Sequence, residues 1–306
     1  MDEAKYRTAE RELWESIGLE PREVRVPLAV AGVEVRVQIV GAGPPVLFIH
    51  GGPNSGATWA PILPAFEGFT SYLVDRPGTG LSDPYPIGEG ELYEFGSRFV
   101  DDLLDVLDID RAHVVASSFG GFVALCSAAA TPGRFDRMVQ MACPAFAPGM
   151  QTPRFMKLMG IGPIRWLMNT LPPNERVGDS ILRQIGHGPS LDAGRIPQVF
   201  KDWYLALQKY TDTMKNEGAM IAQAVSFRKG FDVSLTLPTS IIEAVEAPTL
   251  FLWGEDDAFG GRGVAESLVA SMRDARLEML PESGHLPWLD DAEGIGRRTA
   301  AFLRTG

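Results

Sequence analysis

Apolar runs of strand length alternate with helical stretches along most of this chain of 306 residues. Residues 3–17 carry apolar positions at helical spacing, and residues 22–30 and 33–40 alternate like two antiparallel strands. From Val46 onward, helix-sized segments separate the apolar runs. Strands joined by helices imply right-handed crossovers, so the pattern predicts an α/β fold. We expect a mainly parallel sheet flanked by helices, with its ligand site at the carboxyl ends of the strands.

The alternation stops near Pro144, and residues 145–232 become helical and proline-punctuated, without a strand or an internal repeat. We therefore predict one elaborated domain, with a core of residues 1–144 and 233–306. Residues 145–232 are predicted to form a helical cap inserted after the sixth strand. The cap has 11 Lys/Arg and 7 Asp/Glu, a net charge of +4. Two interpretations stay open: a solvated basic face, or a mouth that attracts acidic substrates.

One serine lies where an apolar strand meets an apolar helix, within the sequence Ala-Ser-Ser-Phe-Gly at residues 116–120. A serine held on such a sharp turn has strained backbone angles and needs small residues two positions away on either side. Ser118 has Ala116 and Gly120 at those positions, whereas Ser117 has a valine and a phenylalanine. Ser118 is therefore the candidate nucleophile.

A second glycine-rich turn, His50–Pro53, follows the apolar run of residues 45–49. It is either a tight structural turn or half of an oxyanion hole, in which backbone N–H groups stabilise a developing negative oxygen. We expect the donors to be the N–H groups of Gly52 and Phe119. The missing side chain of Gly52 is expected to let a substrate approach the backbone.

Acidic residues and a histidine follow two later strands. Glu255, Asp256 and Asp257 come after the run 248–253, and any of the three carboxylates could orient a histidine. His285 lies on a loop beyond the strand predicted at 275–280 and is the candidate base.

Three further histidines are assigned other roles. His113 starts a strand, so we expect it to be structural. His187 lies between two glycines and is expected at the surface. His50 belongs to the glycine-rich turn, where we expect a packing or hydrogen-bonding role.

These segments, taken in order, resemble the α/β-hydrolase superfamily. The resemblance rests on the HGGP turn, Asp75–Ser82, small-x-Ser-x-Gly-Gly, W-G-x-x-Asp and G-H-x-P, and covers roughly residues 22–144 and 233–306. It implies an α/β-hydrolase fold with its triad in the order Ser, acid, His. Asp257 then corresponds to the acid, and Asp75–Ser82 is similar to a loop that braces the site.

The predicted function is a serine hydrolase that cleaves carboxylic esters through an acyl-enzyme intermediate. Carbon–carbon bond hydrolases with the same triad are an alternative, as is a ligand receptor on a hydrolase fold that does not turn over. The HGGP turn also resembles that of proline iminopeptidases. Such enzymes need acidic groups to hold a free amine, whereas the predicted cap is net basic. An aspartate nucleophile is disfavoured because position 118 is serine.

Six of the eleven methionines fall in the cap, where most are expected to pack and a minority to line an apolar pocket. The predicted substrate-binding residues are Gly51, Met159, Trp166 and Leu286. The expected partner is a small-molecule ester.

Composition limits the remaining partners. A net charge of −11 argues against nucleic acid and anionic membranes. The N-terminus is charged and no apolar run reaches 18 residues, so we expect a cytoplasmic protein. Cys126 and Cys143 are expected to be reduced. Without metal-ligand spacing, a phosphate loop or a dinucleotide fingerprint, we predict no metal and no cofactor. Nothing in the sequence indicates an oligomeric state.

Overall fold

The computed structural model describes residues 1–85, 91–170 and 173–305, with side chains of 167–170 left out. Within these ranges the strands are β1 (Arg22–Leu28), β2 (Val33–Gly41), β3 (Pro45–Ile49), β4 (Thr70–Val74), β5 (Ala112–Ser117), β6 (Phe135–Met141), β7 (Val225–Ser226), β8 (Gly230–Phe231), β9 (Thr249–Gly254) and β10 (Ala275–Leu280).

Eight of these strands form one sheet in the order β1-β2-β4-β3-β5-β6-β9-β10. Strand β2 pairs antiparallel with β1 and β4, and every other neighbouring pair is parallel. The predicted antiparallel start and mainly parallel sheet are confirmed.

Twelve α-helices lie within the described ranges. They are α1 (Glu3–Ser16), α2 (Leu92–Val106), α3 (Phe119–Ala130), α4 (Arg154–Met159), α5 (Gly162–Thr170), α6 (Glu175–Leu182), α7 (Gly188–Asp192), α8 (Gln198–Tyr210), α9 (Thr213–Ala224), α10 (Thr239–Ala244), α11 (Arg262–Ala270) and α12 (Ala292–Leu303). None of these described helices combines the length and the apolar character needed to cross a bilayer.

Both faces of the sheet are buried. Along β3, Leu47 and Ile49 pack into a cluster with α2 and α3. The alternate residues Val46 and Phe48 pack on the opposite face with α1, α12 and the 3₁₀ segment Gly56–Phe66. A strand covered on both faces needs apolar side chains at successive positions, which explains the continuous apolar runs of the sequence.

The segment predicted as a cap lies between β6 and β9 and contains helices α4 to α9. It also contains β7 and β8, which pair antiparallel with Val225 opposite Phe231. The expectation of a cap without strands was therefore wrong. Two-residue strands are too short to produce an alternating pattern. The division of the chain into a core and a cap stays a prediction.

Candidate active site

Ser118 lies between the end of β5 and the start of α3, with φ 52° and ψ −119°. A positive φ is uncommon for a residue with a side chain, so the surrounding structure must hold this turn. A Cβ at Gly120 would collide with the backbone carbonyl of Ile49, and one at Gly51 would lie 2.7 Å from the Ser118 Cβ. The two glycines let the turn pack against the end of β3.

Burial separates the two adjacent serines. Ser117 is fully buried, and its hydroxyl has no hydrogen-bond partner in the described part of the chain. Ser118 is half-buried and lines a cavity. Only Ser118 is placed to meet a ligand, which supports the predicted serine register.

Asp257 and His285 are brought together. His285 Nδ1 lies 3.0 and 2.9 Å from the two carboxylate oxygens of Asp257. The backbone N–H groups of Cys143 and Phe259 each donate to Asp257 at 2.9 Å. These donors fix the carboxylate. Because Asp257 occupies Nδ1 of His285, Nε2 is the ring nitrogen left for a ligand, and His285 and Ser118 line the same cavity.

The neighbouring carboxylates are placed differently. Asp256 and Glu255 are exposed, and Glu255 pairs with Arg262. Asp257 is buried. Among the three acids that follow β9, the geometry therefore favours Asp257 as the partner of His285.

The N–H groups of Gly52 and Phe119 donate no hydrogen bond within the described ranges, and both residues line the cavity. They are available as oxyanion donors. The expectation that the bare side of Gly52 admits a substrate needs correction, however. A Cβ there would collide with the carboxylate of Glu217 from α9, so glycine makes room for this acidic side chain.

A buried network holds the turn His50–Pro53. The Arg76 guanidinium donates to the His50 carbonyl at 2.9 Å, to the Gly51 carbonyl at 3.2 Å and to Glu217 at 2.7 Å. Burial, reinforced by the Arg76 charge, holds the pKa of His50 well below its ordinary value. Neutral His50 Nδ1 lies 2.6 Å from the Gly51 carbonyl. The expected hydrogen-bonding role of His50 and the bracing role of residues 75–82 agree with this geometry.

The cavity has a volume of about 140 Å³ and a mostly apolar lining. No lysine or arginine occurs among the described residues that line it, and Glu217 is the acidic one. Burial raises the pKa of Tyr204, another lining residue, to about 12, so its phenol is neutral. The apolar side chains of the lining include Met150, Phe155, Met156, Ile181, Met220 and Phe259.

Two of the four predicted substrate-binding residues line this cavity, namely Gly51 and Leu286. Trp166 is 68% exposed and Met159 is not part of the lining. Both belong to short helices, α4 and α5, where apolar spacing does not determine which side is buried. The two were therefore misplaced by the sequence analysis.

His187 was also misplaced, since it is fully buried rather than at the surface. Its Nδ1 lies 2.9 Å from Asp290 Oδ1, and its Nε2 accepts the N–H of Leu286 at 3.0 Å. The adjacent Gly186 has φ 102° and touches the loop of His285. The flanking glycines predicted a surface loop. In the structure, Gly186 instead allows its backbone to approach that of the His285 loop closely.

Comparisons with known proteins agree with this fold. Residues 44–292 match the family model described as alpha/beta hydrolase fold. A 2-hydroxy-6-oxononadienedioate/2-hydroxy-6-oxononatrienedioate hydrolase of Cupriavidus pinatubonensis is 28% identical over 273 residues, covering 89% of this chain and 88% of the relative. A 2-hydroxy-6-oxo-6-phenylhexa-2,4-dienoate hydrolase of Burkholderia cepacia is 28% identical over 292 residues, covering 90% and 93%.

Two solved structures are similar over nearly the whole chain. A carboxylesterase from Bacillus subtilis has a TM-score of 0.75 at 20% identity, covering 99% of each chain. A 2-hydroxy-6-oxo-6-phenylhexa-2,4-dienoate hydrolase from a Rhodococcus species has a TM-score of 0.74 at 20% identity, covering 94% of this chain and 100% of the other. At this identity the likeness concerns the fold, and the predicted α/β-hydrolase fold is confirmed.

Proposed function

Because the chain belongs to the α/β-hydrolase family, we propose that it is a serine hydrolase of neutral carboxylic esters. Ser118 attacks the ester carbonyl while His285 accepts its proton, and Asp257 stabilises the imidazolium. The N–H groups of Gly52 and Phe119 bind the oxyanion. His285 then protonates the leaving alcohol, and water activated by His285 releases the acid.

The charges of the side chains that line the cavity support an uncharged substrate over an anionic one. A dienoate such as those named for the curated relatives bears a carboxylate. Within the described lining that carboxylate would find no lysine or arginine, and it would meet the like charge of Glu217. Arg76 is not among the residues that line the cavity, and its charge is paired with Glu217 at 2.7 Å. Burying an unpaired charge is unfavourable, so the cavity favours an uncharged ester.

Carbon–carbon bond hydrolysis is the second candidate, and the names of the curated relatives favour it. The same serine, histidine and aspartate would serve both reactions. What separates the two is whether the cavity accepts an anion.

A substrate panel tests the proposal. We expect kcat/KM for p-nitrophenyl butyrate to exceed that for 2-hydroxy-6-oxo-6-phenylhexa-2,4-dienoate by about 100-fold, equivalent to about 2.7 kcal/mol of transition-state binding. A ratio reversed in favour of the dienoate would support the second candidate. Release of a single equivalent of p-nitrophenol would instead indicate a receptor that does not turn over. L-Proline p-nitroanilide, added to the panel, tests iminopeptidase activity.

Glu217→Gln sharpens this test, since it removes the negative charge and keeps the shape. If charge excludes the dienoate, the variant should improve dienoate turnover relative to ester turnover. If the ratio of dienoate turnover to ester turnover stayed the same, the charge of Glu217 would not be the cause of the substrate preference.

A further inference from the structure

The loop Gly284–Leu286, here called the base loop, has three consecutive backbone N–H groups that are all hydrogen-bonded. Gly284 donates to the Asp290 carboxylate at 3.0 Å. His285 donates to the Ile185 carbonyl at 2.9 Å. Leu286 donates to His187 Nε2 at 3.0 Å. Two of the three acceptors therefore belong to the predicted cap, which fixes the backbone on both sides of the His285 side chain.

The hydrogen bonds of His187 define its tautomer. Because Nε2 accepts from Leu286, it carries no proton, and the ring proton lies on Nδ1. Nδ1 faces both carboxylate oxygens of Asp290, at 2.9 and 3.0 Å. The buried imidazole thus links an acid of the core to the backbone of the base loop. It has a donor on one side and an acceptor on the other.

Asp290 is well supplied with donors. Besides His187 and Gly284, the hydroxyls of Ser190 and Ser283 donate to it at 2.6 and 3.0 Å. Burial would raise the pKa of Asp290, but the hydrogen bonds from His187, Ser190 and Gly284 outweigh it and hold the pKa below its ordinary value. The carboxylate is therefore ionised at neutral pH and holds the His187 ring in one orientation.

Two glycines permit this close approach. Gly186 has φ 102°, and a Cβ there would collide with the Asp256 carbonyl. A Cβ at Gly284 would lie 2.6 Å from the Ile185 carbonyl. The segment 185–187 therefore packs directly on the backbone that carries His285, with no side chain between them.

We propose that His187 is a positioning residue for the catalytic base, so that the cap turn 185–187 sets where His285 stands relative to Ser118. The inference rests on the proposed function, in which His285 is the base. A displacement of about 1 Å in a catalytic group can lower the rate about 100-fold. Loss of the acceptor for the Leu286 N–H should therefore reduce kcat more than substrate binding.

Two substitutions of His187 separate its two hydrogen bonds. The amide of His187→Gln reaches the place of Nε2 and can still accept from Leu286. The shorter amide of His187→Asn stays near Nδ1 and can still donate to Asp290, but it leaves Leu286 without an acceptor. Ser190→Ala is the matched control, because it removes another cap donor to Asp290 without touching the base loop.

Steady-state kinetics and fluorophosphonate labelling of Ser118 are measured per folded molecule, with folding checked by near-ultraviolet circular dichroism. We expect His187→Asn to lose about 10- to 100-fold in kcat and in labelling rate, with KM within about 3-fold. His187→Gln should stay within about 3-fold of the wild type on both readouts. Ser190→Ala should lower the melting temperature while kcat per folded molecule is kept.

Equal losses in His187→Gln and His187→Asn, or wild-type kcat in His187→Asn, would overturn the positioning role. So would a loss of kcat in Ser190→Ala as large as that in His187→Asn, because it would reflect general loosening of the cap. Wild-type protein that carries no label on Ser118 would overturn the proposed function itself, and the inference with it.

Discussion

The turn His50–Pro53 and the base loop Gly284–Leu286 form the two halves of the proposed site. The segment predicted as a cap, residues 145–232, contacts both by different chemistry. At the first, a buried ion pair between Arg76 and Glu217 holds two backbone carbonyls. At the second, a buried histidine accepts a backbone N–H. An ion pair tolerates loss of one partner poorly, whereas a neutral hydrogen bond can be replaced by an amide. The same segment therefore holds one half by charge and the other by hydrogen-bond geometry.

We expect the largest loss of activity at Asp257, the proposed partner of the base. Asp257→Asn should lower kcat by about 10⁴-fold without unfolding the protein, since the oxyanion donors remain and the histidine tautomer is lost. Asp256→Asn is the matched control, because that carboxylate is exposed, and should stay near the wild-type rate. Steady-state kinetics decide between them. A full loss at Asp256 with normal rates at Asp257 would place the acid one residue earlier.

Breaking the Arg76–Glu217 ion pair should lower the stability of the protein. Arg76→Met leaves the Glu217 carboxylate buried and unpaired, so we expect the free energy of unfolding to fall by about 3–5 kcal/mol. Glu217→Gln leaves the Arg76 charge unpaired but keeps a hydrogen-bond acceptor for it, so it should cost less than Arg76→Met. Replacing both residues by Met and Leu should recover part of the loss. Urea denaturation measures the free energy of unfolding of all three variants. A loss below about 1 kcal/mol in Arg76→Met would show that the first half of the site does not depend on the ion pair.

Acid should lower the stability of the folded protein through His50 and through Asp290 in two different pH ranges. The pKa of His50 is held down by burial and by Arg76. Below its ordinary value of about 6.5, the unfolded chain therefore takes up a proton that the folded chain resists, and stability falls. The pKa of Asp290 is also lowered. Its contribution is present above about pH 3.9 and is lost only as the pH falls through its folded value.

Melting temperatures measured from pH 7 to pH 3 check this order. We expect His50→Gln to flatten the decline that begins below about pH 6.5, and Asp290→Asn to flatten only the decline below about pH 4. Identical pH profiles in the wild type and His50→Gln would show that His50 does not cause the earlier decline.

The smallest effect concerns the thiols. Burial raises the pKa of Cys126 to about 12, and burial together with the Asp257 charge raises the pKa of Cys143 well above its ordinary value. Because the thiolate is the reactive form, iodoacetamide at pH 8 should leave activity unchanged, although Cys143 lines the cavity. Mass spectrometry of the treated protein measures how much of each cysteine is modified. Rapid modification of Cys143 would show that the cavity opens further than described.

Local patterns explain what the sequence could predict. Ser118 and His285 each follow an apolar strand, so strand ends and turn residues located them without long-range information. The same pattern left three acids open after β9, and the choice of Asp257 came from the family resemblance. Glu217 and His187 gave no such signal. Their partners Arg76 and Asp290 lie 141 and 103 residues away along the chain.

The cap lining was hard to predict for a related reason. Helices such as α4, with six residues, are too short for apolar spacing to identify the buried face. The net positive charge of residues 145–232 left two interpretations open. The described lining favours the solvated basic face, because it holds none of the positive side chains while Glu217 is present.

In the proposed function, Ser118 is the nucleophile that attacks an uncharged ester. The most direct measurement is reaction with a fluorophosphonate followed by peptide mass spectrometry, paired with p-nitrophenyl butyrate kinetics of Ser118→Ala and Ser117→Ala. We expect one adduct per chain, on Ser118. Activity should fall at least about 10³-fold in Ser118→Ala and stay close to wild type in Ser117→Ala. An adduct on Ser117, or ester hydrolysis that survives in Ser118→Ala, would contradict the account.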